Sequence, residues 1–305
     1  MFAEPYQLDP TQNMEILMGL AAEVLFYGIY VPLFFVCLWI MVSRKEAPKW
    51  ELVAPIITMF ILSTVHVGVA LYSFVETFMQ SSNPKERLYF DRQFSAVVAS
   101  YGLYNVLNFI GDGIVIYRCY VICDSFKVVI LPIVLHLIST VQGIYSTASF
   151  GRNAFSATTW EIGLTGYCLS LIVNVACTGL IAHRIWTSTR MISPLVGSQR
   201  AAKCYEVLGI IIESAVLYTI AMAVLIGTYV SRLPGPSQLA FQMIVQVVCI
   251  VPTLMLVRAG LSQKLREDWD ATRPRAATAQ IREWPVERPS RSTLVGDDDE
   301  CGTRV

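Results

Sequence analysis

The chain has 305 residues, 54% of them hydrophobic and only 15% charged, with a mean hydropathy of +0.53 and a formal net charge of zero. A soluble domain carries roughly 25% charged residues, so this balance belongs to a chain that crosses a bilayer several times. The neutral net charge speaks against a dedicated nucleic-acid binder, and no nucleic acid is expected among the partners.

The first 16 residues are acidic and lack a basic stretch ahead of the first apolar run. No cleavable signal peptide is expected there, and the run should persist as a helix. Seven apolar stretches then follow, near 17–42, 52–78, 94–121, 127–147, 162–186, 204–230 and 238–261. Each supplies the roughly 20 residues that a spanning helix needs. Short connections make sequential helices antiparallel neighbours. The expected fold is an all-α bundle of seven transmembrane helices over 17–261, with an N-terminal tail (1–16) and a C-terminal segment (262–305).

The first helix holds Glu23 near one end and Pro32 at its middle, where a kink is expected. The second carries the small and polar stripe Ser63, His66, Ala70, Ser73 and Thr77, of the kind that brings helices close together. His66 is read first as a hydrogen-bonded packing residue and second as a ligand contact.

The third stretch, from Tyr101 to Lys127, organises the chain. At about 100° per residue, Tyr101, Asn105, Asn108 and Asp112 share one helical face. Polar groups in hydrocarbon are costly unless they face other helices or a watery cavity, so this helix is expected at the centre of the bundle. The fourth helix repeats the theme with His136, Ser139, Gly143 and Ser146. The sixth sets Glu206 at its start and Glu213 two turns deeper, and the seventh presents Gln238, Gln242, Gln246, Cys249 and Thr253 along one side, with Pro252 near its end.

Beyond Leu261 the composition turns to Arg, Pro, Ser and acidic residues. Ser262–Asp270 reads as a short amphipathic helix along the membrane, and the remainder cannot bury enough apolar surface to fold. Lysines and arginines set the orientation. They cluster after the first helix (Arg44, Lys45, Lys49), around the third-to-fourth turn (Arg118, Lys127), in the fifth-to-sixth loop, and from Arg258 onward. The other side has only Lys85, Arg87, Arg92, Arg152 and Arg232. The expected orientation is N-terminus outside and C-terminus cytoplasmic.

Eight cysteines occur, none in a Cys-x-x-Cys spacing, so neither a zinc ribbon nor a redox dithiol is indicated. Cys119, Cys123 and Cys204 lie near the expected cytoplasmic surface, where palmitoylation competes with a plain packing role.

The stretch from Gly111-Asp112 to Tyr117-Arg118-Cys119-Tyr120, the polar third helix and the arginine-rich tail together resemble a large fungal, mostly basidiomycete, group. Its members are seven-span integral membrane proteins that look like receptors and have no assigned function. The resemblance implies a receptor-like role at the plasma membrane, with a heterotrimeric G protein as cytoplasmic partner. The chain departs from rhodopsin-like receptors: Tyr117, not an acidic residue, precedes Arg118, and Val251-Pro252-Thr253-Leu254-Met255 stands where Asn-Pro-x-x-Tyr would lie.

Enzyme readings find little support. The seventh helix has no lysine for a retinal Schiff base, and three histidines on three helices suit neither a zinc hydrolase nor a haem carrier. No cofactor or metal is expected. The expectation is a receptor-like sensor of an extracellular or membrane-borne small molecule. Its pocket would lie between the second, third, sixth and seventh helices, where Tyr101, Asn105, Asn108, His66 and Gln242 meet. Asp112 and Glu213 would form a polar relay to the cytoplasmic face. Two readings of Arg118 stand: an ion pair with Glu206 that locks the inner face, or an interface arginine that snorkels, since it lies about 240° around the helix from Asp112. The alternative function is a secondary transporter or proton-coupled carrier using Asp112, Glu213 and His66.

Overall fold

A computed structural model describes residues 10–43, 50–79, 86–153, 157–196, 198–231 and 234–272. They form seven helices: α1 (Pro10–Val42), α2 (Trp50–Met79), α3 (Glu86–Cys123), α4 (Phe126–Asn153), α5 (Ala157–Val196), α6 (Ser198–Val230) and α7 (Pro234–Thr272). No strand occurs among the described residues. Each helix contains a stretch of 23 to 31 residues apolar enough to cross a bilayer. At about 1.5 Å rise per residue, such stretches cover a hydrocarbon core of about 30 Å. The chain is a multi-pass membrane protein with the all-α architecture its hydropathy implies.

The chain divides into two units, Met1–Ser262 and Gln263–Val305. The first holds the bundle. In the second, the described residues are helical to Thr272, so Ser262–Asp270 carries the final turns of α7 instead of forming a separate short helix. The rest of the tail, from 273 to 305, lies outside the described residues, as does the acidic N-terminal stretch before Pro10.

The bundle has the polarity that lipid demands. Leu25, Trp39, Leu131 and Val141 are exposed around its outside, while Glu23, Ser63, His66, Asp112, Asn174 and Gln246 are buried within it. Hydrocarbon cannot hydrogen-bond, so polar side chains turn toward one another. The helix at the centre is not the expected one. In α7, 89% of the spanning window is buried, against 39% in α3. The reason lies in composition. From Phe241 to Val257, α7 is apolar nearly all round, and its few polar groups (Gln242, Gln246, Thr253) are uncharged, so neighbours can pack on every face.

Close approach of α3 to α7 depends on Gly111. A Cβ placed there would lie 3.1 Å from Val248 Cγ1 and 3.6 Å from the Val248 carbonyl oxygen. Pro252, four residues on, has no N–H to donate to that carbonyl, so α7 is locally freed of a helical bond at the contact. Around it, Phe34 stacks on Phe60 at 4.0 Å between ring centroids, joining α1 to α2. Tyr101 and Tyr104 of α3 lie 4.4 and 5.3 Å from the Phe241 ring of α7.

The α3–α4 turn is only two residues long. Asp124 takes φ 50° and its N–H donates to the Tyr120 carbonyl at 2.9 Å. A left-handed residue after the last helical turn is the usual helix stop, and Asp is among the few non-glycine residues that tolerate it. Cys119 and Cys123 are buried, with their sulfurs 4.0 Å apart. That supports the packing role over palmitoylation at these two positions, while the Cys204 side chain lies outside the described residues.

Candidate functional site

The polar face of α3 builds the first buried cluster. Asp112 accepts at Oδ2 from Ser170 Oγ of α5 (2.7 Å) and from Asn108 Nδ2 one turn earlier (3.1 Å). The Tyr218 hydroxyl of α6 lies 2.9 Å from Ser170 Oγ. Ser170 has one proton, and the shorter contact assigns it to Asp112, so Tyr218 is the donor to Ser170. On the α4 side, His136 stacks on Phe109 at 5.0 Å and brings Nδ1 to 3.7 Å from Asp112 Oδ2, too far for a hydrogen bond. One carboxylate therefore faces side chains from α4 and α5, and through Ser170 is linked to α6.

One turn toward the start of α3, Asn105 bridges to α4. Its Nδ2 donates to the Gly143 carbonyl (3.0 Å) and to Thr147 Oγ1 (2.8 Å). Only glycine permits this, because a Cβ on Gly143 would lie 2.4 Å from Asn105 Oδ1. Beside these residues lies a narrow polar cavity of about 40 Å³, between α3, α4 and α5. Tyr101, Tyr104, Asn105 and Asn108 form its α3 wall, with Ser139, Gly143 and Thr147 from α4 and Gly163, Tyr167 and Ser170 from α5. The Tyr104 hydroxyl is sealed from that cavity and has no hydrogen-bond partner among the described residues.

A second buried cluster joins α1, α2 and α7. His66 Nδ1 lies 2.6 Å from Glu23 Oε1, and both side chains have no exposed surface. Gln246 Nε2 donates to the same Glu23 oxygen at 3.4 Å, and Ser63 Oγ donates to Gln246 Oε1 at 2.7 Å. Glu23 Oε2 and His66 Nε2 have no hydrogen-bond partner among the described residues.

The residues nominated from sequence thus separate into two groups. Tyr101, Asn105 and Asn108 share the α3–α4–α5 cavity. His66 instead belongs to the α1–α2–α7 cluster, and Gln242 sits on α7 beside Gly19 of α1, where a Cβ would lie 3.6 Å from Gln242 Cγ. Among the described residues, His66 and Tyr101 approach each other only across the Phe241 ring of α7, which lies 6.4 and 4.4 Å from them, so α7 stands between the two groups.

Nor do Asp112 and Glu213 form one relay. Glu213 is exposed and makes a bidentate ion pair with Arg258 of α7, through Nη1 to Oε2 and Nη2 to Oε1. Arg118 makes no ion pair among the described residues, and the Glu206 side chain lies outside them, as does any Arg118–Glu206 lock. At the same end of the bundle, Tyr117 donates instead to Glu51 Oε2 of α2 at 2.6 Å. The partners Glu23, Ser63, Tyr104, Gly143, Ser170 and Tyr218 were not nominated from sequence. Glu23 carried a signal as a carboxylate inside an apolar run, and Ser63 and Gly143 as members of small and polar stripes.

No family model, curated protein or solved structure matches the chain. The functional reading therefore rests on the geometry of the two clusters and the cavity.

Proposed function

We propose that the protein is a receptor-like sensor of a small molecule, with its N-terminus outside and its C-terminus in the cytoplasm. The observation that carries this reading is the Asp112 cluster. It places one buried carboxylate against groups from α4 and α5, and through Ser170 against α6, beside a narrow polar cavity. A ligand group entering the cavity meets Asn108 and Ser170, and both are bonded to Asp112. Binding there favours one arrangement of α3, α5 and α6 over another, which is how a ligand shifts a pre-existing equilibrium. A heterotrimeric G protein is the cytoplasmic partner this reading implies, the plasma membrane its location, and the fungal receptor-like seven-span group its family.

The second reading, a proton-coupled carrier, is favoured by a different observation. Glu23 and His66 form a fully buried pair of ionisable groups in a separate cluster, the usual material of a proton pathway.

The two readings part in a proximity-labelling experiment, with a biotin ligase fused after Val305 and an unrelated multi-span protein as control. Enrichment of G-protein subunits, lost in the Asp112→Asn variant, supports the receptor. Cytoplasmic labelling without them, together with proton-dependent uptake lost in Glu23→Gln, transfers the assignment to transport. Labelling of lumenal proteins overturns the orientation.

A further inference from the structure

Both ring nitrogens of His136 are buried and have no hydrogen-bond partner among the described residues. His66 differs, since its Nδ1 meets Glu23 Oε1 at 2.6 Å. A neutral imidazole carries one N–H, and hydrocarbon offers it no acceptor. The His136 ring lies against Phe109 at 5.0 Å with 21° between planes, and its Nδ1 is 3.7 Å from Asp112 Oδ2. Both residues stand near the middle of their apolar spans, Phe126–Ser149 and Ser95–Cys123. Closing the gap to the roughly 2.8 Å of a charge-assisted hydrogen bond takes about 1 Å of movement. The stacked contact with Phe109 holds the ring by its face and has no directional bond to break.

The titratable groups that face Asp112 come from four helices: Tyr104 of α3, His136 of α4, Cys177 of α5 and Tyr218 of α6. On the other side of this turn of α3, Gly111 meets Met59 of α2 and Val248 of α7, neither of which ionises. His136 has no other ion-pair contact among the described residues. Phenols and thiols ordinarily ionise above about pH 8, so below it only Asp112 and His136 change charge. We propose that these two residues form a proton-binding site, in which one proton from water adds to His136 and the imidazolium closes on the ionised Asp112 at Oδ2. No other covalent bond forms or breaks, and the pair passes from one net negative charge to none. A lone charge at this depth is costly, and a closed pair of opposite charges is less so. Oδ2 already accepts from Ser170 at 2.7 Å and from Asn108 at 3.1 Å, so a third donor displaces the longer bond, that of Asn108. Asn108 lines the narrow polar cavity, and proton uptake therefore alters its wall. This deepens the sensor reading above and rests on it for the consequence in signalling, though not for the binding of the proton.

The test uses the full chain in phosphatidylcholine nanodiscs, with nitrogen-15 in the histidine rings and asparagine side chains, followed by NMR from about pH 5 to about pH 8. One ring should pass from neutral to imidazolium as the pH falls, and its signals should be missing in His136→Gln, which assigns them. Asp112→Asn should move that transition down by about one to three pH units, or about ten- to a thousand-fold in proton affinity, because the anion that favours the imidazolium has gone. The Asn108 side-chain signal should shift at the same midpoint as the ring. Because Asp112→Asn also alters the bonds to Ser170 and Asn108, Ser170→Ala serves as the second variant. It frees Oδ2 of its nearest donor and should move the transition up. A His136 ring that keeps one protonation state across the range overturns the site, and so does a transition that neither variant moves. A transition that leaves the Asn108 signal still overturns the link to the cavity. Titration of His136 without G-protein engagement keeps this site and removes the receptor reading. G-protein engagement that is equal at every pH, with a silent His136, does the reverse.

Discussion

Glu23 Oε1 and His66 Nδ1 lie 2.6 Å apart with both side chains fully enclosed by α1, α2 and α7. Each is costly to bury alone, and together with Gln246 and Ser63 they hold three helices in register. Breaking a buried pair by removing one partner typically costs about 3–5 kcal/mol, because the other is left unpaired. Glu23→Leu and His66→Leu should each destabilise the bundle on that scale. The double variant should cost clearly less than the sum of the two. Unfolding measured in mixed micelles checks this, and additive losses would mean that the two residues do not act as a pair.

The Asp112 cluster should behave as a unit through Ser170. Ser170→Ala removes the donor to Asp112 and the acceptor for Tyr218 at once, whereas Tyr218→Phe removes the outer bond and a longer one to Asn108 Oδ1. Each single change should cost about 0.5–1.5 kcal/mol, with Ser170→Ala the larger. Tyr218→Phe should then cost clearly less in a Ser170→Ala background, where only its long bond to Asn108 Oδ1 (3.4 Å) remains to be lost. The same unfolding assay reads all three, and an equal cost of Tyr218→Phe in both backgrounds would separate Tyr218 from the cluster.

How much of this was legible in the chain depends on what kind of information each feature needs. Helix number is a one-dimensional property, and hydropathy placed all seven spans within a few residues of those observed. The face shared by Asn105, Asn108 and Asp112 is likewise local, since the helical period alone sets it. Their partners are not. Nothing in the spacing of α1 pairs Glu23 with a histidine 43 residues later, or brings Gln246 across from α7. The choice of α3 as central helix failed for a related reason. Polarity was taken as the sign of burial, yet a membrane interior is entered most fully by a helix apolar on all sides, which from sequence looks like any lipid-facing span. Gly143 was read as part of a small-residue stripe, and only the geometry shows that Asn105 requires it.

That requirement gives a sharp contrast between two glycines. Gly143→Ala would put a Cβ 2.4 Å from Asn105 Oδ1, whereas nothing lies within 4 Å of a Cβ on Gly179. To escape, Asn105 must swing away and give up its bonds to Gly143 and Thr147, so Gly143→Ala should cost about 1–3 kcal/mol. Gly179→Ala should be neutral or stabilising by up to about 1 kcal/mol, from helix propensity alone. Thermal unfolding compares them directly. Pairing Gly143→Ala with Asn105→Ala should bring little further loss, since the clash and the bonds have gone together. Full additivity would mean that the bridge is not what Gly143 protects.

The Glu213–Arg258 pair ties α6 to α7 at an exposed site, and its dependence on charge can be tested without perturbing the interior. Arg258→Glu places two carboxylates where an ion pair stood, and α6 and α7 should part at that end. Glu213→Arg combined with Arg258→Glu restores attraction with the signs exchanged. A cysteine pair introduced on neighbouring turns of the two helices should therefore crosslink well in the parent, poorly in the single variant, and well again in the double. Arg258 ends the apolar span of α7, and to the extent that water reaches the pair at this end of the bundle, salt should weaken its attraction. At about 1 M salt the Debye length falls to about 3 Å, and the three crosslinking rates should converge. Rates that stay apart at high salt would assign the α6–α7 contact to packing around the pair, not to its charge.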